Sequence, residues 1–288
     1  MRLSLSEIST VNATFAQDVA AYAGAGFDAI GIWEFKLPAD DGATRDLLQA
    51  SGLTVANCIP AIPSILQLAI PGMEGPTDPQ QRIYAICASI SRLAAYNPES
   101  VVCLTGPVGD RPLAAARALV IDGLRRIAGA AREAGVRLGL EPIHPTQRDS
   151  ASFINTLADA TALLDEAGLD DVGIMFDTFN VWDDRDAGEW IASHARRVTG
   201  LHISDRPPGD ERTDRLLPGQ NGTRTGELIR ALERAGWNGT LDIEIFSTPD
   251  RYWALPVEEA ARRAHAAAAA VGAVAGVPRV PDSRPNAT

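Results

Sequence analysis

The chain is poor in the residue types on which several common functions depend. Only three cysteines occur in 288 residues, Cys58, Cys87 and Cys103. An odd, widely spaced set embedded in apolar runs such as VVCLTG speaks against a disulfide framework or a thiolate metal cluster and marks all three as reduced core side chains. Positive charge is short as well: 26 Lys and Arg against 37 Asp and Glu leave a formal charge of −11. Phosphate backbones are bound through clustered cations, so nucleic acid is not an expected partner. Lys36 and Arg206 stand isolated, with no glycine-rich phosphate loop beside them, and read as solvated surface groups. No stretch approaches the ~20 apolar residues of a membrane span, and the opening MRLSLSEIS has no basic segment followed by an apolar one. A cytoplasmic protein with no membrane partner is expected. A dinucleotide fingerprint is also missing, so no organic cofactor is expected.

What the sequence does have is a rhythm. Short apolar runs at 2–5, 29–33, 54–58, 101–105, 137–141, 172–177, 198–204 and 240–246 have the length and composition of buried strands. Between them lie Ala- and Leu-rich stretches of helical period, among them 113–133, 157–166, 226–234 and 257–271. Glycines in REAGVRLGL and DEAGLDDVGI stand where helices end before the next strand. Strand then helix, eight times over, predicts the α/β class and a single-domain (β/α)₈ TIM barrel. No composition break divides the chain. The barrel is expected over residues 1–277, with 278–288 (ending PDSRPNAT) as a flexible C-terminal tail.

Four of the predicted strands carry a charged or metal-ligating residue at or near their carboxyl end: Glu141 in LGLEP, Asp177 in GIMFD, His202 in GLHIS and Glu244 in LDIE. In a (β/α)₈ barrel that end is where function is built. Three carboxylates sharing a dry pocket repel one another and take up protons unless a cation holds them. One divalent ion removes the conflict. An oxygen-rich set with one imidazole suits Mn²⁺, Mg²⁺, Co²⁺ or Zn²⁺ without choosing among them. Singly, each residue has a bland reading as a cap, a salt-bridged strand end or a satisfied barrel histidine; on four consecutive strands, the metal reading is preferred.

The segments LEPIHP, FDTFN, LHISD, DRLLPGQ and LDIEIF, with Tyr252 shortly after, resemble the xylose isomerase-like superfamily of sugar isomerases and epimerases, the inosose isomerase branch above all. The resemblance runs over nearly the whole chain. It implies that Glu141, Asp177, His202 and Glu244 are metal ligands, that Glu141 and Glu244 are also the paired acid/base carboxylates, and that Arg215 contacts substrate. The implied activity is a cofactor-free, metal-dependent isomerisation or epimerisation of a keto-sugar or keto-inositol, by proton transfer through a metal-stabilised enediolate. The chemistry is sound on general grounds, since a bound cation acidifies the proton next to a carbonyl. The implied partner is a small sugar or cyclitol, and pairing into a homo-oligomer, with an exposed aromatic such as Trp253 at the interface, is compatible with the family.

Two departures stand out. The family often has a histidine three residues after its strand-six aspartate; here that place is Asn180, which hydrogen-bonds but does not change charge near neutral pH. His144, in EPIHP, is the nearest replacement and becomes a candidate catalytic residue, with a supporting role as its alternative. At Asn221 relatives tend to have glycine, and asparagine is the side chain most tolerant of positive φ. Trp33, Glu34, Asn57, Asn180 and Trp182, near strand ends, are candidate substrate contacts, with plain packing as the competing reading. A lyase using the same enediolate to expel water or an aglycone is the main rival function. An endonuclease IV-like nuclease is remote, because four histidines are too few for a multi-metal cluster. A non-enzymatic barrel that holds a metabolite or partner is the remaining reading.

Overall fold

A computed structural model describes residues 1–209 and 214–274 of the chain. Eight parallel strands alternate with eight helices: β1 (Arg2–Ser6), α1 (Phe15–Ala25), β2 (Ala29–Trp33), α2 (Asp41–Ser51), β3 (Thr54–Ile59), α3 (Pro79–Leu93), β4 (Ser100–Cys103), α4 (Leu113–Ala134), β5 (Leu138–Leu140), α5 (Leu157–Ala167), β6 (Gly173–Asp177), α6 (Ala187–His194), β7 (Val198–Ile203), α7 (Arg224–Arg234), β8 (Thr240–Ile243) and α8 (Val257–Val274). Each strand pairs with the next, and β1 pairs with β8 from Arg2↔Thr240 to Leu5↔Ile243, closing the barrel. The expected (β/α)₈ fold is therefore the observed one. The expected tail at 278–288 lies outside the described residues, as does the end of the barrel at 277.

Local chemistry accounts for the element boundaries. Helix α1 opens on a capping box in which the Thr14 hydroxyl accepts from the Gln17 backbone and the Gln17 side chain accepts from the Thr14 backbone. Helices α4 and α5 end at Gly135 (φ 71°) and Gly168 (φ 66°), left-handed positions where a glycine has no Cβ penalty. The strands are buried on both faces except at a few starts, which explains why they read as continuous apolar runs rather than alternating ones. Side chains between strands and helices form one large core, while a smaller cluster of Ile8, Trp33, Ile59, Val102 and Met175 fills the barrel interior. No helix among the described residues is long and apolar enough to cross a membrane.

Several expected details are corrected. Strand β5 is only three residues long and β8 stops at Ile243, so Glu141 and Glu244 stand one residue beyond their strands. The backbone ladder still holds them, through Glu141 N–H to Cys103 O at 3.0 Å and Glu244 N–H to Ile203 O at 3.3 Å. Lys36 is not a solvated surface group: its ammonium is buried, donating to the Asp18 carboxylate at 2.5 Å and to the carbonyls of Glu7 and Thr10. Arg206 is buried too, over the Phe179 ring. Trp253 is half-buried with its indole donating to Ile8 O at 2.8 Å, which removes it as an exposed interface aromatic. Asn221 does not adopt positive φ; Gly219 and Gly222 on either side do, and Asn221 instead bonds Asp205 and the Arg206 carbonyl. The cysteines are free, with Cys58 and Cys103 buried and Cys87 partly so, as expected.

Candidate active site

The carboxyl ends of β5 to β8 bring Glu141, Asp177, His202 and Glu244 together, with one ligand atom from each lying within 4.8 Å of all the others. All four are buried. The His202 ring divides the barrel interior. Its Nδ1 faces Glu244 Oε2 at 3.4 Å and Glu141 Oε1 at 3.7 Å, while its Nε2 faces Asn57 Oδ1 at 3.4 Å and Asp242 Oδ2 at 3.6 Å. Nδ1 is a buried polar atom with no hydrogen-bond partner among the described residues.

Electrostatics mark the cluster as incomplete. Burial, with Asp177 and Glu244 nearby, pushes the Glu141 carboxyl up to about 7 despite the opposing pull of His202. Burial would lower the His202 imidazole, but Glu244, Glu141 and Asp242 outweigh it and push it up to about 10. Arg215 supplies one positive charge: its guanidinium donates to Asp177 at 2.8 Å and lies 3.0 Å from Glu244, packed over the rings of Phe179 and Phe246. Without an ion the cluster is held together by protons, on the imidazole and in part on Glu141; a divalent cation would replace them, since three carboxyl groups and an imidazole face a single guanidinium. That donor set, with an orphaned ring nitrogen aimed into it, fits a divalent cation.

Beside the cluster lies a cavity of about 340 Å³ whose lining includes Glu141, Glu244, Asn180, Arg215 and Trp33. Asn180 acts as a clamp: its amide donates to Glu141 at 3.1 Å and Asp177 at 2.9 Å, while its carbonyl accepts from the His144 backbone at 3.1 Å. The remaining sequence candidates lie outside the cavity lining. His144 turns its Nε2 to Asp183 at 3.0 Å and its Nδ1 to Thr146, so the ring caps a short turn instead of facing the carboxylates. Glu34 accepts from Ala61 N–H at 2.8 Å and pairs with Arg92, bracing the loop after β3. Asn57 lies beneath the cluster, and the Trp182 carbonyl accepts from Arg224.

Sequence reasoning missed Asp242. It is fully buried, accepts from the Asn57 amide at 2.7 Å and is pushed up to about 6 by burial. The signal was available: in a strand, residues two apart share a face, so Asp242 in LDIE points the same way as Glu244. It is accommodated by a glycine, since a Cβ at Gly31 would come within 2.2 Å of the Asp242 carboxylate. Phe246 and the apolar segment 63–73 of the cavity wall were also missed, because a loop's path is not periodic.

Comparison with known proteins agrees with the fold. A family model described as the xylose isomerase-like TIM barrel matches residues 19–270. Among curated proteins, the chain is similar to D-psicose 3-epimerase of Enterocloster bolteae, 28% identical over 45% of this chain and 40% of the relative. It is also similar to inosose isomerase of Halalkalibacterium halodurans, 26% identical over 50% of this chain and 51% of the relative. The chain thus spans about half or less of the curated relatives' length. Among solved structures, a protein of Sinorhizobium meliloti superposes with a TM-score of 0.80 at 26% identity, covering 93% of this chain and 98% of that one. The IOLI protein, solved with a binding zinc atom, superposes at 0.76 and 20% identity over 97% of this chain and 100% of that one. With the closed eight-stranded barrel on which these matches converge, the chain belongs to the xylose isomerase-like TIM barrel family.

Proposed function

We propose that the chain is a divalent-metal-dependent isomerase or epimerase of a keto-sugar or keto-cyclitol, working without an organic cofactor. The observation that carries this reading is the convergence of Glu141, Asp177, His202 and Glu244 within 4.8 Å beside a cavity that both glutamates line. The names of the relatives, an epimerase and an isomerase, support the same reaction class.

In this reading the four residues hold one ion, Mn²⁺, Mg²⁺, Co²⁺ or Zn²⁺, which when bound neutralises negative charge developing on substrate oxygens. The chain's own groups do the rest. Glu141 and Glu244 are the proton carriers: one carboxylate removes the proton next to the substrate carbonyl, and the other returns a proton to the product. Arg215, on the cavity wall, binds substrate oxygens and pairs with the Asp177 and Glu244 carboxylates. Asn180 keeps Glu141 and Asp177 in register, and Trp33 closes the wall against water. His144, engaged by Asp183 and Thr146, supports the rim rather than carrying protons.

The test is proton NMR in D₂O with metal-stripped and Mg²⁺-loaded protein against inosose, several ketohexoses and a 3-keto-glucoside. Metal-dependent deuterium uptake with an isomer appearing is the expected result. Loss of water or aglycone instead assigns a lyase, and no change with any compound removes the proposed substrate class.

A further inference from the structure

The cavity has two chemistries. Glu141, Asn180, Arg215 and Glu244 give it a polar base, and Thr146, Gln147 and Ser150 add a polar lip. A second part of the lining comes from one segment, residues 63–73, which contributes Pro63, Leu68, Ile70, Pro71 and Met73. Met73 and Phe246 pack onto the small cluster around Trp33, so this apolar wall is continuous with the barrel interior. A bare sugar laid against such a wall would bury hydroxyls with nothing to bond, which is unfavourable.

The wall is built in place rather than loosely draped. Arg82, fully buried on α3, sends its guanidinium to Ser64 O (2.9 Å), Ser64 Oγ (2.6 Å), Glu74 O (2.6 Å) and Pro76 O (2.9 Å), tying both ends of the segment. Its base is stitched to β4 and the strand's continuation by Leu104 N–H to Pro63 O (2.7 Å) and Leu66 N–H to Thr105 O (2.8 Å), and its far side is held by Ala69 N–H to Ser150 O (2.8 Å). A preformed apolar face that opens onto a polar site is suited to a ligand that is itself polar at one end and apolar at the other.

We propose that residues 63–73 form a subsite for an apolar group carried by the substrate, so that the substrate is a keto-glycoside with an apolar aglycone rather than a free monosaccharide. The sugar end of this inference rests on the isomerase reading; the aglycone end rests on the wall alone.

The experiment compares phenyl and methyl β-D-3-keto-glucosides. Affinity for the full chain is measured by isothermal titration, and deuterium uptake by NMR with the same compounds and with free ketohexoses. The phenyl compound is expected to bind at least about tenfold more tightly than the methyl one, the scale of filling an apolar pocket. In Ile70→Asp that ratio falls toward one, and in Ile70→Leu it persists, with circular dichroism confirming that both variants fold. Equal affinity for the two compounds, no binding of the phenyl compound, or a ratio untouched by Ile70→Asp overturns the subsite. The two failures separate cleanly. A phenyl preference with no deuterium uptake in any compound keeps the subsite and removes the isomerase, whereas uptake in free ketohexoses without a phenyl preference does the reverse.

Discussion

The Asp242 carboxylate lies 3.6 Å from His202 Nε2, on the far side of the ring from Glu141 and Glu244. A carboxylate there, with Asn57 Oδ1 at 3.4 Å, favours the tautomer that carries its proton on Nε2 and leaves the Nδ1 lone pair for a metal. Asp242→Asn is therefore expected to weaken Mn²⁺ binding by about 10–100-fold while the barrel stays folded. Electron paramagnetic resonance titration measures this, and an unchanged affinity would show that Asp242 does not position His202.

Gly31 and Asp242 are sterically linked, because a Cβ at Gly31 would meet the Asp242 carboxylate at 2.2 Å. Gly31→Ala is expected to destabilise by about 1–3 kcal/mol, the usual range for overpacking. In an Asp242→Ala background the same change is expected to cost less, giving a coupling energy above about 0.5 kcal/mol in urea unfolding. Simple additivity of the two substitutions would contradict the contact.

Removing a proposed ligand separates stability from binding. In Asp177→Asn or Glu244→Gln the metal-free protein loses one ion-pair partner of Arg215, while the ion loses a donor. Calorimetry of wild type with saturating Mn²⁺ is expected to raise Tm, since a ligand at about 1,000 times its Kd adds about 4 kcal/mol. The same ion is expected to move the Tm of either variant far less. Equal shifts in all three proteins would exclude these carboxylates as ligands.

Acid stability carries the signature of a different group. Glu7 is fully buried, with Oε2 accepting from Trp33 N–H at 3.0 Å and Oε1 without a hydrogen-bond partner among the described residues. Burial outweighs nearby Lys36 and holds its carboxyl well above the ordinary 4.5; Asp18, next to it, is raised for the same first reason. A carboxyl whose folded pKa is raised contributes stability that is present in full below the unfolded pKa and lost as pH rises through the folded one. Stability is therefore expected to fall from about pH 4.5 upward, and Glu7→Gln to flatten that fall. Denaturant unfolding between pH 4 and 8 reads the slope; identical slopes would remove Glu7 as its origin.

Much of the architecture was legible because a parallel barrel repeats two simple signals, an apolar strand and an amphipathic helix, with glycines such as Gly135 and Gly168 marking the joins. The convergence of Glu141, Asp177, His202 and Glu244 was legible because a charge at the end of an apolar strand is costly and conspicuous. What escaped reading depended on contacts distant in sequence. The direction of the His144 ring is set by Asp183, 39 residues away, and Lys36 is buried because the chain places Asp18 against it. The cavity wall at 63–73 lacks any period, and it is fixed by the carbonyls that Arg82 gathers and by backbone bonds to Leu104, Thr105 and Ser150.

Closure of the barrel through Leu5↔Ile243 also sets the order of events during synthesis. Until the last strand emerges from the ribosome, β1 and the newest strand each present an open row of backbone donors and acceptors, the kind of edge that recruits other chains. Glu244 follows that last strand by one residue. The nascent chain thus completes the Glu141–Asp177–His202–Glu244 cluster at nearly the same moment that it loses its exposed edges.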